Sequence, residues 1–133
     1  MKSSISGGVA KETNEFVHAN GTVSIGPSIP NTGDFQGLQG YGHQLVALEN
    51  GDVMIMLGVK VWRYNFPTDT FTRQQDMVAS RYPAGATTFY SPKHDGRHVI
   101  FIGAGSYSNN PYTCALLDYT ITEEWEILGW PKL

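Results

Sequence analysis

Short apolar runs separated by glycine-containing turns recur along the chain. The apolar runs 42–48 and 53–58 flank Asn50-Gly51, and the same order returns over 84–103 around Asp95-Gly96. Asn-Gly or Asp-Gly between two such runs predicts a β-hairpin with a type I′ turn, in which both central residues have positive φ. No segment keeps a helical period of apolar residues. The pattern therefore predicts an all-β protein of short antiparallel strands.

The two hairpins are copies of one repeating unit. Gly51 aligns with Gly96 and Gly58 with Gly103, each at a spacing of 45 residues. A period of this length is the size of one four-stranded propeller blade. Each unit continues with a third strand, a polar turn and a fourth strand that an aromatic residue opens. Four strands are therefore predicted for each complete unit.

Three units fit this frame within a single domain over residues 1–133. The first unit spans 1–30 and lacks its first strand, the second spans 42–77, and the third spans 84–131. The segments between the units are predicted to cross from one blade to the next. The domain is therefore interpreted as a partial propeller.

The order of glycines and aromatic residues in these units resembles the kelch repeat. The likeness rests on a double glycine at a strand end and on aromatic residues of the last two strands: Gly7-Gly8, Tyr64, Tyr119 and Trp125. The chain departs from the family pattern where other residues replace a glycine or the tryptophan: Val59, Ala104, Phe71 and Val23. The resemblance implies antiparallel four-stranded blades of a kelch-like β-propeller, a type of fold that hosts unrelated functions.

The predicted ring is incomplete unless the chain oligomerises or belongs to a longer one. Propellers close with about 4–8 blades, whereas this sequence supplies only about eleven strands. Each blade buries both faces against its neighbours, so we expect an apolar flank at either side of the stack. Three explanations stay open: a fragment of a longer propeller, copies that assemble into a ring, or a different chain that completes the ring.

Composition limits the classes of partner. The 133 residues carry a net charge of −3 with scattered Lys and Arg, so no nucleic-acid partner is expected. No apolar run approaches the roughly 20 residues of a membrane span, and no membrane partner is expected. The first eight residues lack the apolar core of a signal peptide. Localisation stays unknown, with a lean towards an extracellular setting if the chain is part of a longer protein.

Candidate catalytic and metal-binding groups are sparse. The sequence nominates no carboxylate pair, no nucleophile with its base and no ligand cluster, so no catalytic residue, metal or cofactor is expected. His94 and His98 flank a hairpin turn without a third ligand nearby. The single cysteine, Cys114, lies among apolar residues and is expected to be buried and inert. Asp52 and other acidic residues in turns fit ordinary hairpin chemistry.

Two longer loops are the predicted binding surfaces. Residues 105–112 are rich in the Tyr, Ser, Asn and Gly that adaptable binding loops use, and the loop 31–41 carries two aromatic residues. The candidate contact residues are Tyr107, Asn109, Asn110, Tyr112, Phe35 and Tyr41. Separately, Asn20-Gly21-Thr22 forms a sequon, which makes Asn20 a possible glycosylation site.

These features favour a non-catalytic scaffold that binds a protein partner or assembles with further copies of itself. The alternative is a fragment of a propeller enzyme, of a type similar to galactose oxidase or to sugar-processing propellers, whose catalytic groups converge from several blades. A structural component of an extracellular matrix or appendage is a third reading, which glycosylation of Asn20 would favour.

Overall fold

The chain folds almost wholly into antiparallel strands. The computed structural model describes residues 5–6, 9–10, 15–28, 43–78, 85–103 and 113–129. In these ranges the strands are β1 (Ile5–Ser6), β2 (Val9–Ala10), β3 (Glu15–Val17), β4 (Val23–Ile25), β5 (His43–Ala47), β6 (Val53–Leu57), β7 (Lys60–Asn65), β8 (Thr70–Arg73), β9 (Ala86–Ser91), β10 (Arg97–Ile102), β11 (Thr113–Leu117) and β12 (Glu126–Gly129). A short 3-10 helix, Pro92–His94, separates β9 from β10.

Two four-stranded sheets contain most of the described residues. The middle sheet has the order β5-β6-β7-β8, the C-terminal sheet has the order β9-β10-β11-β12, and all neighbouring strands are antiparallel. Strands β1 and β2 pair with each other, as do β3 and β4, which we call the N-terminal hairpin. The predicted all-β class with antiparallel four-stranded sheets is confirmed. The two sheets lie within the predicted units 42–77 and 84–131.

The hairpin turns differ from one another in backbone geometry. Asp95 and Gly96 both have the predicted positive φ, of 55° and 74°. The predicted type I′ turn is nevertheless wrong there, because the two residues end a longer loop, 92–96, that contains the 3-10 helix and joins Ser91 to Arg97. At Asn50-Gly51 the predicted type I′ turn is wrong, because only Gly51 has positive φ, of 88°. There Leu48 donates its N–H to the carbonyl of Asp52 (2.8 Å) and accepts a hydrogen bond from Gly51 (3.0 Å). This is the three-residue loop in which glycine alone takes the left-handed position.

The main core lies between the middle sheet and the C-terminal sheet, which pack face to face. Because side chains alternate along a strand, each sheet contributes every second residue to this core. The buried residues of the cluster are Val46, Leu48, Met54, Met56, Val61 and Met77 with Ile100, Ile102, Ala115, Leu117 and Trp125. The first strands of the two sheets, β5 and β9, lie side by side. The two sheets therefore share one hydrophobic core.

The opposite face of the middle sheet has a smaller core of its own. Ile55, Leu57 and Trp62 are buried there, and Val53 and Phe71 pack against them. The N-terminal hairpin lies on this side, since Phe16 of β3 contacts the ring of Tyr64. The middle sheet is thus packed on both faces, as a blade inside a stack would be.

The outer flanks of the stack are unequal. In the N-terminal hairpin Val17, Val23 and Ile25 share the face turned away from the middle sheet, and they are 76%, 59% and 82% exposed. On the outer face of the C-terminal sheet, Val99 and Leu116 are buried. The expectation of an exposed apolar flank is confirmed for the N-terminal hairpin. It is wrong for the part of the C-terminal sheet around Val99 and Leu116, because both side chains are buried.

Candidate functional site

Each four-stranded sheet carries one ion pair between its second and third strands. In the middle sheet the Nε of Arg63 lies 2.7 Å from the Oδ2 of Asp52, and in the C-terminal sheet the Nε of Arg97 lies 2.7 Å from the Oδ2 of Asp118. The two carboxylates are buried, with side chains 3% and 5% exposed. Asp52 and Arg97 are 45 residues apart, so the two sheets hold the same pair with the charges exchanged.

The residues around each ion pair carry the polar groups that its partner charges need. Asn50 and Asn65 both donate side-chain N–H groups to the carboxylate of Asp52, at 3.1 and 2.9 Å. In the C-terminal sheet the residue at the position of Asn50 is Asp95, which accepts a hydrogen bond from Arg97 (3.0 Å). The pair in each sheet is therefore embedded in polar groups of the complementary kind, which a buried ion pair requires.

The carboxylate of Asp118 stays ionised at neutral pH. Burial is the largest single effect and raises its pKa, but the hydrogen bonds from Arg97 and Thr120 together with the neighbouring positive charge outweigh it, and the net pKa lies below the ordinary value. Arg97 and Asp118 point to the outer face of the C-terminal sheet, because they alternate with Ile100 and Leu117 of the core. The sequence pattern predicts only ordinary turn chemistry for Asp52, and neither ion pair is predicted from it.

A polar network fastens the two sheets to each other beside the shared core. The hydroxyl of Tyr119 accepts the backbone N–H of Glu49 (3.1 Å) and lies 2.8 Å from the Nδ1 of His98. Tyr90 donates its hydroxyl to Glu49 (3.0 Å), and this hydrogen bond raises the pKa of Tyr90. The guanidinium of Arg63 lies 5.8 Å from the centroid of the Tyr119 ring. Tyr119 is therefore the contact point between the middle and the C-terminal sheets.

The same type of contact joins the N-terminal hairpin to the middle sheet. Phe16 of β3 lies over Tyr64, with ring centroids 6.0 Å apart, as Arg63 of β7 lies over Tyr119. Tyr64 also contacts Phe66 (4.7 Å) and Phe71 (4.8 Å). At both junctions, therefore, a residue from the third strand of one unit covers a tyrosine of the next unit: Phe16 covers Tyr64, and Arg63 covers Tyr119.

The first junction encloses an open apolar cavity of about 170 Å³, which we call the aromatic pocket. Its walls are the rings of Phe16, Tyr64, Phe66 and Phe71 together with Glu15, Leu45, Val53 and Ile55. Leu45 and Phe66 are 44% and 49% exposed, which leaves the cavity open to solvent. Glu15 is the one charged residue in this lining.

The hydroxyl of Tyr64 is held by a carboxylate. It donates a hydrogen bond to Asp69 in the turn between β7 and β8. Burial and, after it, the hydrogen bond and charge of Asp69 raise the pKa of Tyr64 to about 12. Tyr64 is therefore neutral at physiological pH and contributes a polarised aromatic ring rather than a charge.

The loop residues predicted to bind partners lie outside the described residues. These are Tyr107, Asn109, Asn110, Tyr112, Phe35 and Tyr41. Asn20 is described and lies, exposed, in the turn of the N-terminal hairpin. Its side-chain oxygen accepts hydrogen bonds from the backbone N–H (3.0 Å) and the hydroxyl (2.7 Å) of Thr22. Glycosylation of Asn20 stays a prediction.

The two histidines near the Asp95-Gly96 turn have separate partners. His94 lies between Ser91 (2.8 Å) and Glu126 (3.2 Å), whereas His98 contacts Tyr119. Within the described ranges no group of three or more His, Cys, Asp or Glu residues is arranged to hold a metal ion. Cys114 is a buried free thiol, as expected.

Comparisons with known proteins find no match, either among protein-family models or among curated proteins. In the part of the chain that the structure describes, no helix has the length and apolar character needed to span a membrane. The fold defines an all-β protein of stacked antiparallel sheets. Its function is therefore inferred from the sheet faces and the pocket described above.

Proposed function

We propose that the chain is a non-catalytic scaffold, built from kelch-like blades, which assembles with a second copy through the outer face of its N-terminal hairpin. The observation that carries this proposal is the exposed apolar face formed by Val17, Val23 and Ile25. Contiguous apolar surface that remains exposed in a folded chain is typical of protein–protein interaction sites. The kelch-like blades are part of the same proposal.

The repeated junctions support a further sheet as the occupant of this face. Tyr64 lies on the sheet face that contacts the unit before it in the sequence, and so does Tyr119; we call this the receiving face. Tyr64 comes directly after Arg63, and Tyr119 comes directly after Asp118. Val17 comes directly after Phe16, so it occupies the position of these tyrosines. The exposed face of the hairpin is therefore equivalent to a receiving face. Sheets pack on one another through such interdigitating faces.

A second copy supplies a sheet of the required kind. The outer face of its C-terminal sheet carries Asp118 at the position that Arg63 holds in the middle sheet. Val99 and Leu116 on that face are already buried, so the proposed contact is made by Phe89, which is 39% exposed there. Contact between this face and the hairpin of another copy is head-to-tail, which closes into a ring when the rotation per copy allows it. The ring would be the assembled state of the scaffold.

Placing a charge on the hairpin face is expected to weaken this association. Ile25→Lys puts an ammonium group where an apolar contact is proposed, and burying that charge without a partner is costly. We expect the dissociation constant, measured by sedimentation velocity, to rise at least tenfold (~1.4 kcal/mol). Because Ile25 is 82% exposed, the fold itself should be unaffected.

The matched control is Ile121→Lys, which makes the same change at a residue that is 68% exposed in the turn between β11 and β12. This variant is expected to associate as the wild type does. Association of the Ile25→Lys variant with unchanged affinity would overturn the proposed interface.

A further inference from the structure

The aromatic pocket has the features of a site for an organic cation. It lies between the N-terminal hairpin and the middle sheet and has four aromatic rings in its wall. We propose that it binds the ammonium head of a lysine or methylated lysine side chain from a partner protein. This inference rests on the proposed scaffold function and names the chemistry of one of its partners.

The aromatic rings supply the attraction. The faces of aromatic rings carry a negative quadrupole, and organic cations bind to them within about 6 Å of the ring centroid. Phe16, Tyr64 and Phe66 have centroids 4.7 to 6.0 Å apart and lie at tilted or edge-on angles, so that ring faces and edges alternate around the recess. The hydrogen bond from Tyr64 to Asp69 polarises its ring further in the favourable direction.

The molecule already pairs cations with aromatic rings at neighbouring positions. The guanidinium of Arg73 lies 5.8 Å from the ring of Trp62 on the face of the middle sheet that also carries Tyr64. Arg63 lies at the same distance over Tyr119 at the other junction. At the hairpin junction, Phe16 takes the position of such an arginine, and the lining contributes no positive charge of its own.

The carboxylate behind Tyr64 favours a cation over a neutral group. Asp69 accepts the hydrogen bond of the Tyr64 hydroxyl, so one ring in the wall of the recess is bound at its far edge to a negative charge. Leu45, Val53 and Ile55 form the remaining wall and suit the alkyl stem of a lysine. A lysine side chain therefore matches both the apolar wall and the aromatic rings.

The size of the pocket matches a single head group. An apolar cavity of about 150 Å³ holds one benzene molecule, and this pocket measures about 170 Å³. Sites for whole drug-sized ligands are larger, at roughly 300–1,000 Å³. The pocket therefore fits one trimethylammonium or ammonium group with part of its alkyl stem.

The test compares choline with its uncharged isostere, in which a quaternary carbon replaces the nitrogen. Both are titrated into the wild-type chain and followed by NMR, where ring currents shift the ligand methyl signals upfield on binding. We expect choline to bind about fivefold more tightly than the isostere, the size of one exposed cation–π contact. Equal or tighter binding of the isostere would overturn the cation assignment and leave a neutral apolar side chain as the occupant.

Two variants locate the site. Phe66→Leu and Phe16→Leu each remove one aromatic ring from the wall, and each is expected to weaken choline binding several-fold. The control Phe89→Leu makes the same change at a residue that is 39% exposed on the outer face of the C-terminal sheet, and it should have no effect. Choline binding that is unchanged in both Phe66→Leu and Phe16→Leu would refute the assignment to this pocket.

The outcomes separate this inference from the scaffold proposal. If Ile25→Lys abolishes association but choline does not bind, the scaffold stands and the pocket assignment is wrong. If choline binds as expected but the chain does not associate, the pocket is a ligand site of a protein that is not a self-assembling scaffold.

Discussion

Replacement of Asp52 by alanine is expected to lower the free energy of unfolding by about 2–4 kcal/mol. The Asp52 side chain is 3% exposed and accepts hydrogen bonds from Arg63, Asn50 and Asn65. Without the carboxylate these three donors lose their partner, and the half-buried guanidinium of Arg63 keeps an uncompensated charge. Urea denaturation measures the change as a lower midpoint with an unchanged slope.

Two controls accompany this prediction. Glu123→Ala removes a carboxylate from an exposed turn and is expected to change the stability by less than about 0.5 kcal/mol. A variant with Asn50→Asp, Asp52→Arg and Arg63→Asp copies the charge order of the C-terminal sheet into the middle sheet. It should be more stable than Asp52→Ala if the two sheets are equivalent units. An Asp52→Ala variant as stable as the wild type would show that the ion pair does not stabilise the sheet.

Truncation of Leu117 to alanine is expected to cost about 2–5 kcal/mol, because it leaves a cavity in a core that cannot fully collapse. Leu117 is 2% exposed and belongs to the cluster that the middle and C-terminal sheets share. Since both sheets depend on this core, unfolding should remain a single transition seen alike by fluorescence and circular dichroism.

The control for the core is Ile121→Ala. Ile121 is 68% exposed in the turn before β12, and its truncation should change the stability by less than about 0.5 kcal/mol. A loss below about 1 kcal/mol for Leu117→Ala, or two separate unfolding transitions, would contradict the shared core.

Local pattern was sufficient to predict the strands of the two sheets. The apolar run 53–58 became β6 (Val53–Leu57), and the run 98–103 became β10 (Arg97–Ile102), with errors of one residue at the ends. Alternation and turn glycines act over short distances, so they are readable in the sequence. The turn at Asn50-Gly51 was predicted with the wrong geometry because both turn types accept the same two residues.

Contacts between the sheets were not predictable in the same way. Asp52 looks like an ordinary solvated turn residue in the sequence. It becomes the buried partner of an ion pair only because Arg63 lies beside it on the adjacent strand. A signal was nevertheless present, since Asp52 and Arg97 have opposite charges at equivalent positions of the repeat. The stacking of Phe16 over Tyr64 depends on how the hairpin meets the middle sheet, which no local pattern encodes.

The candidate surface also shifted between sequence and structure. The sequence favoured the loops 31–41 and 105–112 because of their composition, and those loops lie outside the described residues. The hairpin face and the aromatic pocket depend on how β3 packs against the middle sheet, which the local sequence pattern does not encode. Val17, Val23 and Ile25 look like core residues in the sequence, and their exposure is a property of the stack.

The mass of the purified chain in solution, measured by light scattering over a range of concentrations, tests the scaffold proposal most directly. We expect a defined oligomer whose mass is a whole multiple of 14.7 kDa, because copies cover the apolar face of one another's hairpin. A single species of 14.7 kDa at every concentration would contradict the proposal that the chain is a self-assembling scaffold.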